Sequence, residues 1–177
     1  MRESSPIDLP QLAEARLQLH YATQLVSAVS HAWLPPRPDG CHLALLWDES
    51  GEIQGQTVPG DEPWHAALHL ESLSFVCEGQ HKRRSISLEG KTLAEALAAA
   101  QTLIDDTLGS DSRPLALPDH SLPPHPLADG ARFRPVDADA MAIWTDWFDH
   151  AAEYLHELRE LRADASPVRL WAEPFAM

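Results

Sequence analysis

The chain has 177 residues, 44% of them apolar, and a formal charge of −14. Length and apolar content place it among globular chains with a real hydrophobic core, not among disordered ones. So negative a surface repels phosphate backbones and anionic lipid, and the one basic run is Lys82-Arg83-Arg84, so nucleic acid and membrane are excluded as partners.

The first element is a helix from about Pro10 to Trp33. Leu12, Ala15, Leu19, Ala22, Val26, Val29 and Trp33 recur at alternating steps of three and four, which lays them along one stripe. Asp8, with Gln11 three residues on, reads as a capped start, and Leu34-Pro35-Pro36 as a stop. After the loop at 35–40, Cys41 to Trp47 reads as a strand, Asp48-Glu49-Ser50-Gly51 as a hairpin turn and Glu52 to Val58 as the returning strand. Gly55 within it marks a bulge or a close approach. Trp64 to Cys77 reads as one long strand whose alternation changes phase near Glu71-Ser72, as a bulge would produce. Glu78-Gly79-Gln80-His81 then turns the chain into a strand from Lys82 to Leu88.

Thr92-Leu93-Ala94-Glu95 is a capping box that opens a second helix, with Leu93, Leu97, Ala100, Ile104 and Leu108 as its stripe and Gly109 as its stop. Prolines at 114, 118, 123, 124, 126 and 135 punctuate the next stretch. Leu115, Leu117, Leu122, Leu127 and Phe133 give it apolar feet, so an ordered extended crossing is expected. A third helix runs from about Asp137 to Arg162. Its main stripe is Trp144, Phe148, Ala151, Leu155 and Leu158, flanked by Met141, Trp147 and Leu161. Val168 to Trp171 is a short closing strand.

These elements predict an α+β fold: an antiparallel sheet of four or five strands packed by helices in helix-strands-helix order, with an added C-terminal helix and short strand. One domain over 1–177 is expected, made of a core (1–109), a proline-rich crossing (110–135) and a closing helix and strand (136–177).

Ten histidines raise the question of a metal site. His65, His69 and Glu71 share one parity of a strand, and His42 can lie on a neighbour, which suffices for two imidazoles and a carboxylate. The competing reading, polar residues on the exposed face of a half-buried strand, is preferred because the spacing is permissive and not diagnostic. On the third helix, Asp146, His150, Glu153 and Glu157 form one ridge and Asp149, Glu153, His156 and Glu160 the next. A lone Glu-x-x-His step, Glu153 to His156, does not make a di-iron bundle, and a solvated acidic face is expected. His-Glu-x-x-His, Gly-x-Ser-x-Gly, phosphate-loop, dinucleotide and Cys-x-x-Cys patterns are all missing from the sequence. His20, Thr23 and Gln24 sit at the edge of the first helix's stripe, where they satisfy backbone or line a small polar pocket; structural use is favoured. Cys41 and Cys77 read as small buried side chains with no Lys or Arg beside them to make a reactive thiolate. The N-terminus, Met1-Arg2-Glu3-Ser4-Ser5-Pro6, lacks the apolar run of a secretory signal, so a cytoplasmic location is expected.

Leu19-His20-Tyr21-Ala22-Thr23-Gln24-Leu25-Val26, the strands after it, Gly90-Lys91-Thr92-Leu93-Ala94-Glu95-Ala96-Leu97 and Ser166-Pro167-Val168-Arg169-Leu170-Trp171 together resemble an uncharacterised bacterial family of unknown function. The resemblance implies no activity. It does imply that related chains continue into a second, similar half, and that after the tryptophan they carry His-His-Phe-Asp where this chain has Ala172-Glu173-Pro174-Phe175.

The leading functional expectation is a non-catalytic interaction or assembly module with no cofactor and no bound metal. Val168, Leu170, Trp171, Phe175 and Met177 crowd apolar groups into the end, so a homodimer through 166–177 is expected, with a separate protein partner as the other option. The first alternative is a small-molecule-binding protein or enzyme using His20, Gln24, His65 and His69. The second is a metal-binding protein using the histidines.

Overall fold

The computed structural model describes residues 8–108, 113–162 and 164–175. Helix α1 spans Leu9–Trp33 and starts where the sequence indicates: the Asp8 carboxylate accepts from Gln11 N–H at 3.4 Å. Five strands follow, β1 (Leu46–Asp48), β2 (Glu52–Gln54), β3 (Trp64–His69), β4 (Ser74–Gly79) and β5 (Arg83–Ser87), then α2 (Leu93–Leu108) and α3 (Ala138–Glu160). The strands form one antiparallel meander in the order β1-β2-β3-β4-β5.

Register explains which face carries the helices. Trp47 pairs with Ile53, Ile53 with Leu68, Leu68 with Phe75 and Phe75 with Ile86, so one apolar row crosses the whole sheet. Above that face Trp47 stacks on Phe148 of α3, and Trp64, of the same parity as Leu68, meets Trp33 of α1 edge-on. Helix α2 lies against β4 and β5 and touches α1. All three helices therefore occupy one side, the α+β arrangement expected.

Helix α1 is buried all round from Gln18 to Ser30 and not only along its stripe. The sheet takes the stripe; α2, α3, the crossing and the terminal segment take the remaining circumference. Small and polar residues on those other sides (Thr23, Ser27, Ala28) let neighbours come close. The sheet-facing side has a close approach of its own at Gly55: a Cβ there would lie 3.1 Å from Val26 Cγ1 and 3.3 Å from the Ala66 carbonyl oxygen.

Three expectations need correction. Cys41–Leu43 is a turn of 3-10 helix, and β1 begins only at Leu46. The long strand from Trp64 to Cys77 is two strands; the phase change marks a hairpin at Leu70–Leu73, with Leu73 at φ +43, and not a bulge. The closing strand shrinks to a single pairing, Leu45 with Leu170, whose two N–H groups exchange bonds at 2.8 Å. The fifth strand thus comes from the split and not from the end of the chain.

The capping box forms as expected. Thr92 Oγ1 accepts from Glu95 N–H at 3.1 Å, and the Glu95 carboxylate accepts from Thr92 N–H at 2.9 Å. Gly109, the expected stop, lies outside the described residues. The crossing is ordered on its apolar feet: Leu127 and Phe133 are buried, and Tyr21 Oη donates to the Pro123 carbonyl at 2.8 Å.

Candidate functional site

Burying α1 on every side makes its longer polar residues find partners, while Ser27 Oγ and Ser30 Oγ have none among the described residues. Gln18 accepts from Arg134 N–H at 2.8 Å, and Thr23 Oγ1 donates to the His20 carbonyl at 2.8 Å. Gln24 Nε2 uses both protons, on the His20 carbonyl (2.9 Å) and on Ala172 O of the terminal segment (3.0 Å). His20 Nε2 donates to Glu173 O at 2.8 Å, which fixes the tautomer, and its ring stacks on Phe175 with centroids 5.2 Å apart. Residues 170–175 are thereby a strap: Leu170 pairs with Leu45 at the outer edge of the sheet, and Ala172, Glu173 and Phe175 are fastened to α1.

Burial of His20 pushes its pKa below the usual value; the bond to Glu173 opposes this, and the nearby Arg16 and His120 reinforce it. Two buried acceptors, His20 Nδ1 and Gln24 Oε1, have no hydrogen-bond partner among the described residues. A ring sealed under Phe175, with its proton committed to a backbone carbonyl, does not face a substrate. His20 and Gln24 hold the end of the chain in place.

His65 and His69 lie elsewhere. Their parity in β3 is opposite to that of Trp64, Ala66 and Leu68, so they sit on the sheet face without helices, away from His20 and Gln24. The four proposed ligand-binding residues therefore divide into two pairs on opposite sides of the sheet. The histidine-carboxylate constellation does not assemble either. His69 Nδ1 bonds Ser72 Oγ at 2.9 Å, Glu71 is exposed in the hairpin turn, and His42 Nδ1 accepts from Arg37 N–H at 3.2 Å. Among the described residues no group of three or more His, Cys, Asp or Glu side chains is placed to hold a metal ion.

On that same sheet face Arg83 pairs with Glu78 across β4–β5 and with Glu52 of β2, whose side chain is almost wholly buried. The half-exposed arginine at the centre of the one basic run is thus neutralised by carboxylates of its own chain. No sequence pattern signals this pair, since the two residues are 31 apart and on non-adjacent strands. The thiols also differ from each other. Cys77 is buried beneath α2 and its pKa is pushed up to about 11 by desolvation. Cys41, contrary to expectation, has an arginine beside it, with Arg37 Nη1 3.4 Å from its sulfur.

The remaining candidate is a surface. The N-terminal half of α3 is pinned: Trp144 Nε1 donates to Leu12 O at 3.0 Å, Trp47 Nε1 donates to Asp149 Oδ1 at 2.7 Å, and Met141 and Phe148 are buried. Past Ala152 the helix runs out along the surface. Trp147, Tyr154, Leu158 and Leu161 are 50%, 62%, 60% and 78% exposed. The sequence reading gave Leu158 to the buried stripe; the body of the protein ends before it. Beside this exposed helix end a groove of about 790 Å³ is lined by Leu155, Leu158, Arg159, Arg162, Val168 and Trp171 among others.

No family model, curated protein or solved structure matches this chain. The functional reading therefore rests on its own geometry.

Proposed function

We propose that this chain is a non-catalytic interaction module whose contact surface is the outer ridge of α3. One observation carries the reading: of the six large apolar side chains exposed among the described residues, four (Trp147, Tyr154, Leu158 and the C-cap Leu161) line up along α3 on a strongly acidic chain. Contiguous exposed apolar patches of several hundred Å² are often functional contact sites. The catalytic and small-molecule alternative loses support, because His20 and Gln24 hold the terminal strap while His65 and His69 stand on the far side of the sheet. The metal-binding alternative loses support for the same reason of placement. A homodimer through 166–177 required an open edge at the end of the chain; Leu170 and Phe175 are buried in their own chain, so we assign contact to α3. The reading includes a cytoplasmic location, supported by two free buried thiols; among the described residues no helix is long and apolar enough to cross a membrane.

The test is site-specific photo-crosslinking in cells that make the protein. A benzophenone side chain at Tyr154 is expected to give a discrete adduct, and the same group at Ser85, on the bare sheet face, none. Absence of any adduct from Tyr154 overturns the reading.

A further inference from the structure

We propose, resting on that interaction reading, that the occupant of the α3 ridge is a second copy of this chain, seated as a parallel two-fold helix pair. Three observations converge on it. The first is spacing. Trp147, Ala151, Tyr154, Leu158 and Leu161 recur at four, three, four and three, the seam of a two-stranded coiled coil, and this seam lies beside the buried arc of α3 and not within it.

The second is area. With roughly 200 Å² for a large side chain, the four exposed residues present about 500 Å² per copy. Two copies bury about 1,000 Å², the lower edge of specific interfaces, which fits a reversible dimer of micromolar strength and not an obligate one.

The third is charge, and it sets the orientation. One flank of the ridge is acidic, with Asp146, Glu153 and Glu157; the other carries Arg162, and Arg159 beyond it. An antiparallel pair would bring acidic flank against acidic flank. A parallel pair brings each acidic flank against the arginine flank and sets Glu157 toward Arg162 of the second copy, which lies two residues past the end of α3. Arg162 holds Asp164 through Nε and Nη2, which leaves Nη1 for that contact.

The experiment is sedimentation equilibrium of the full chain over about 5 to 200 µM at low salt, with a dissociation constant of roughly 10 µM expected. Leu158→Asp is expected to weaken association at least about tenfold while leaving the melting temperature within about 2 °C, because the side chain is exposed in the single chain. Glu157→Arg and Arg162→Glu are each expected to weaken it several-fold, and the double reversal to restore it. A dimer indifferent to Leu158→Asp, or a double reversal weaker than either single one, overturns the proposal. So does a monomer at the highest concentration. In that last case a Tyr154 adduct of some mass other than twice the chain leaves the interaction reading standing, whereas no adduct removes both.

Discussion

Leu19 and His20 are neighbours on α1 with opposite chemistry, and both are buried. Leu19 lies on the sheet-facing stripe with no polar group to receive a charge. Leu19→Asp is expected to leave no folded protein, since an unpaired buried carboxylate costs several kcal/mol against a total of about 5–15. A soluble variant with an unchanged melting curve would contradict the packing described. His20 gives a pH dependence whose sign follows from its lowered pKa. The unfolded side chain titrates near 6.5 and the native one lower, so between those values the unfolded chain binds more protons. Stability is therefore full above about 6.5, falls as the pH is lowered through 6.5 toward the native value, and levels off below it. Arg16 and His120 extend the loss to lower pH by disfavouring the positive form of the ring. His20→Gln keeps a donor for Glu173 O without a titrating group, so melting temperatures from pH 7.5 to 5.5 should fall less in the variant than in the parent. Equal slopes would exclude His20 as the source.

At the scale of elements, the fold depends on two close fits that neither helix nor strand propensity reveals. Gly55 passes under α1, where an added Cβ would sit a few tenths of an ångström inside ordinary contact. Gly55→Ala pushes a methyl into Val26 and the Ala66 carbonyl and is expected to cost about 1–3 kcal/mol, read as a lower urea midpoint at unchanged slope. The terminal strap is the second. Phe175 packs against His20 on one side and Phe148 on another, so Phe175→Ala is expected to cost about 3 kcal/mol and to speed amide exchange at Leu45 and Leu170. Unchanged protection there would mean the strap is not fastened through Phe175. The hairpin between β3 and β4 shows how an element boundary is misread. Apolar alternation is correct on both sides of Glu71-Ser72, and a bulge and a tight turn both shift its phase. The pairing of Leu68 with Phe75 distinguishes them, and that pairing is a tertiary fact.

For the whole molecule, the charge of −14 governs what approaches it. With Arg83 already committed to Glu52 and Glu78, the basic run offers a phosphate backbone even less than its composition suggests. No salt-sensitive binding to a random DNA duplex is expected at micromolar protein; sub-micromolar affinity that weakens with added salt would contradict this.

By itself the sequence determined what depends on neighbours along the chain. The start of α1 at Asp8, the capping box at Thr92, the apolar periods of three helices and the α+β class all follow from local hydrogen bonding and from spacing at 3.6 or 2 residues. Tertiary structure alone decided what depends on which faces meet. Periodicity names a stripe but not how far the partner extends along it, so Leu158 reads as core and lies in solvent. It names a strand's parity but not which parity faces the helices, so His65 and His69 read as neighbours of His20 and stand on the opposite side of the sheet. The apolar end of the chain reads as an open edge because its partners, Leu45, His20 and Gln24, are more than a hundred residues away, and only the folded chain brings them together.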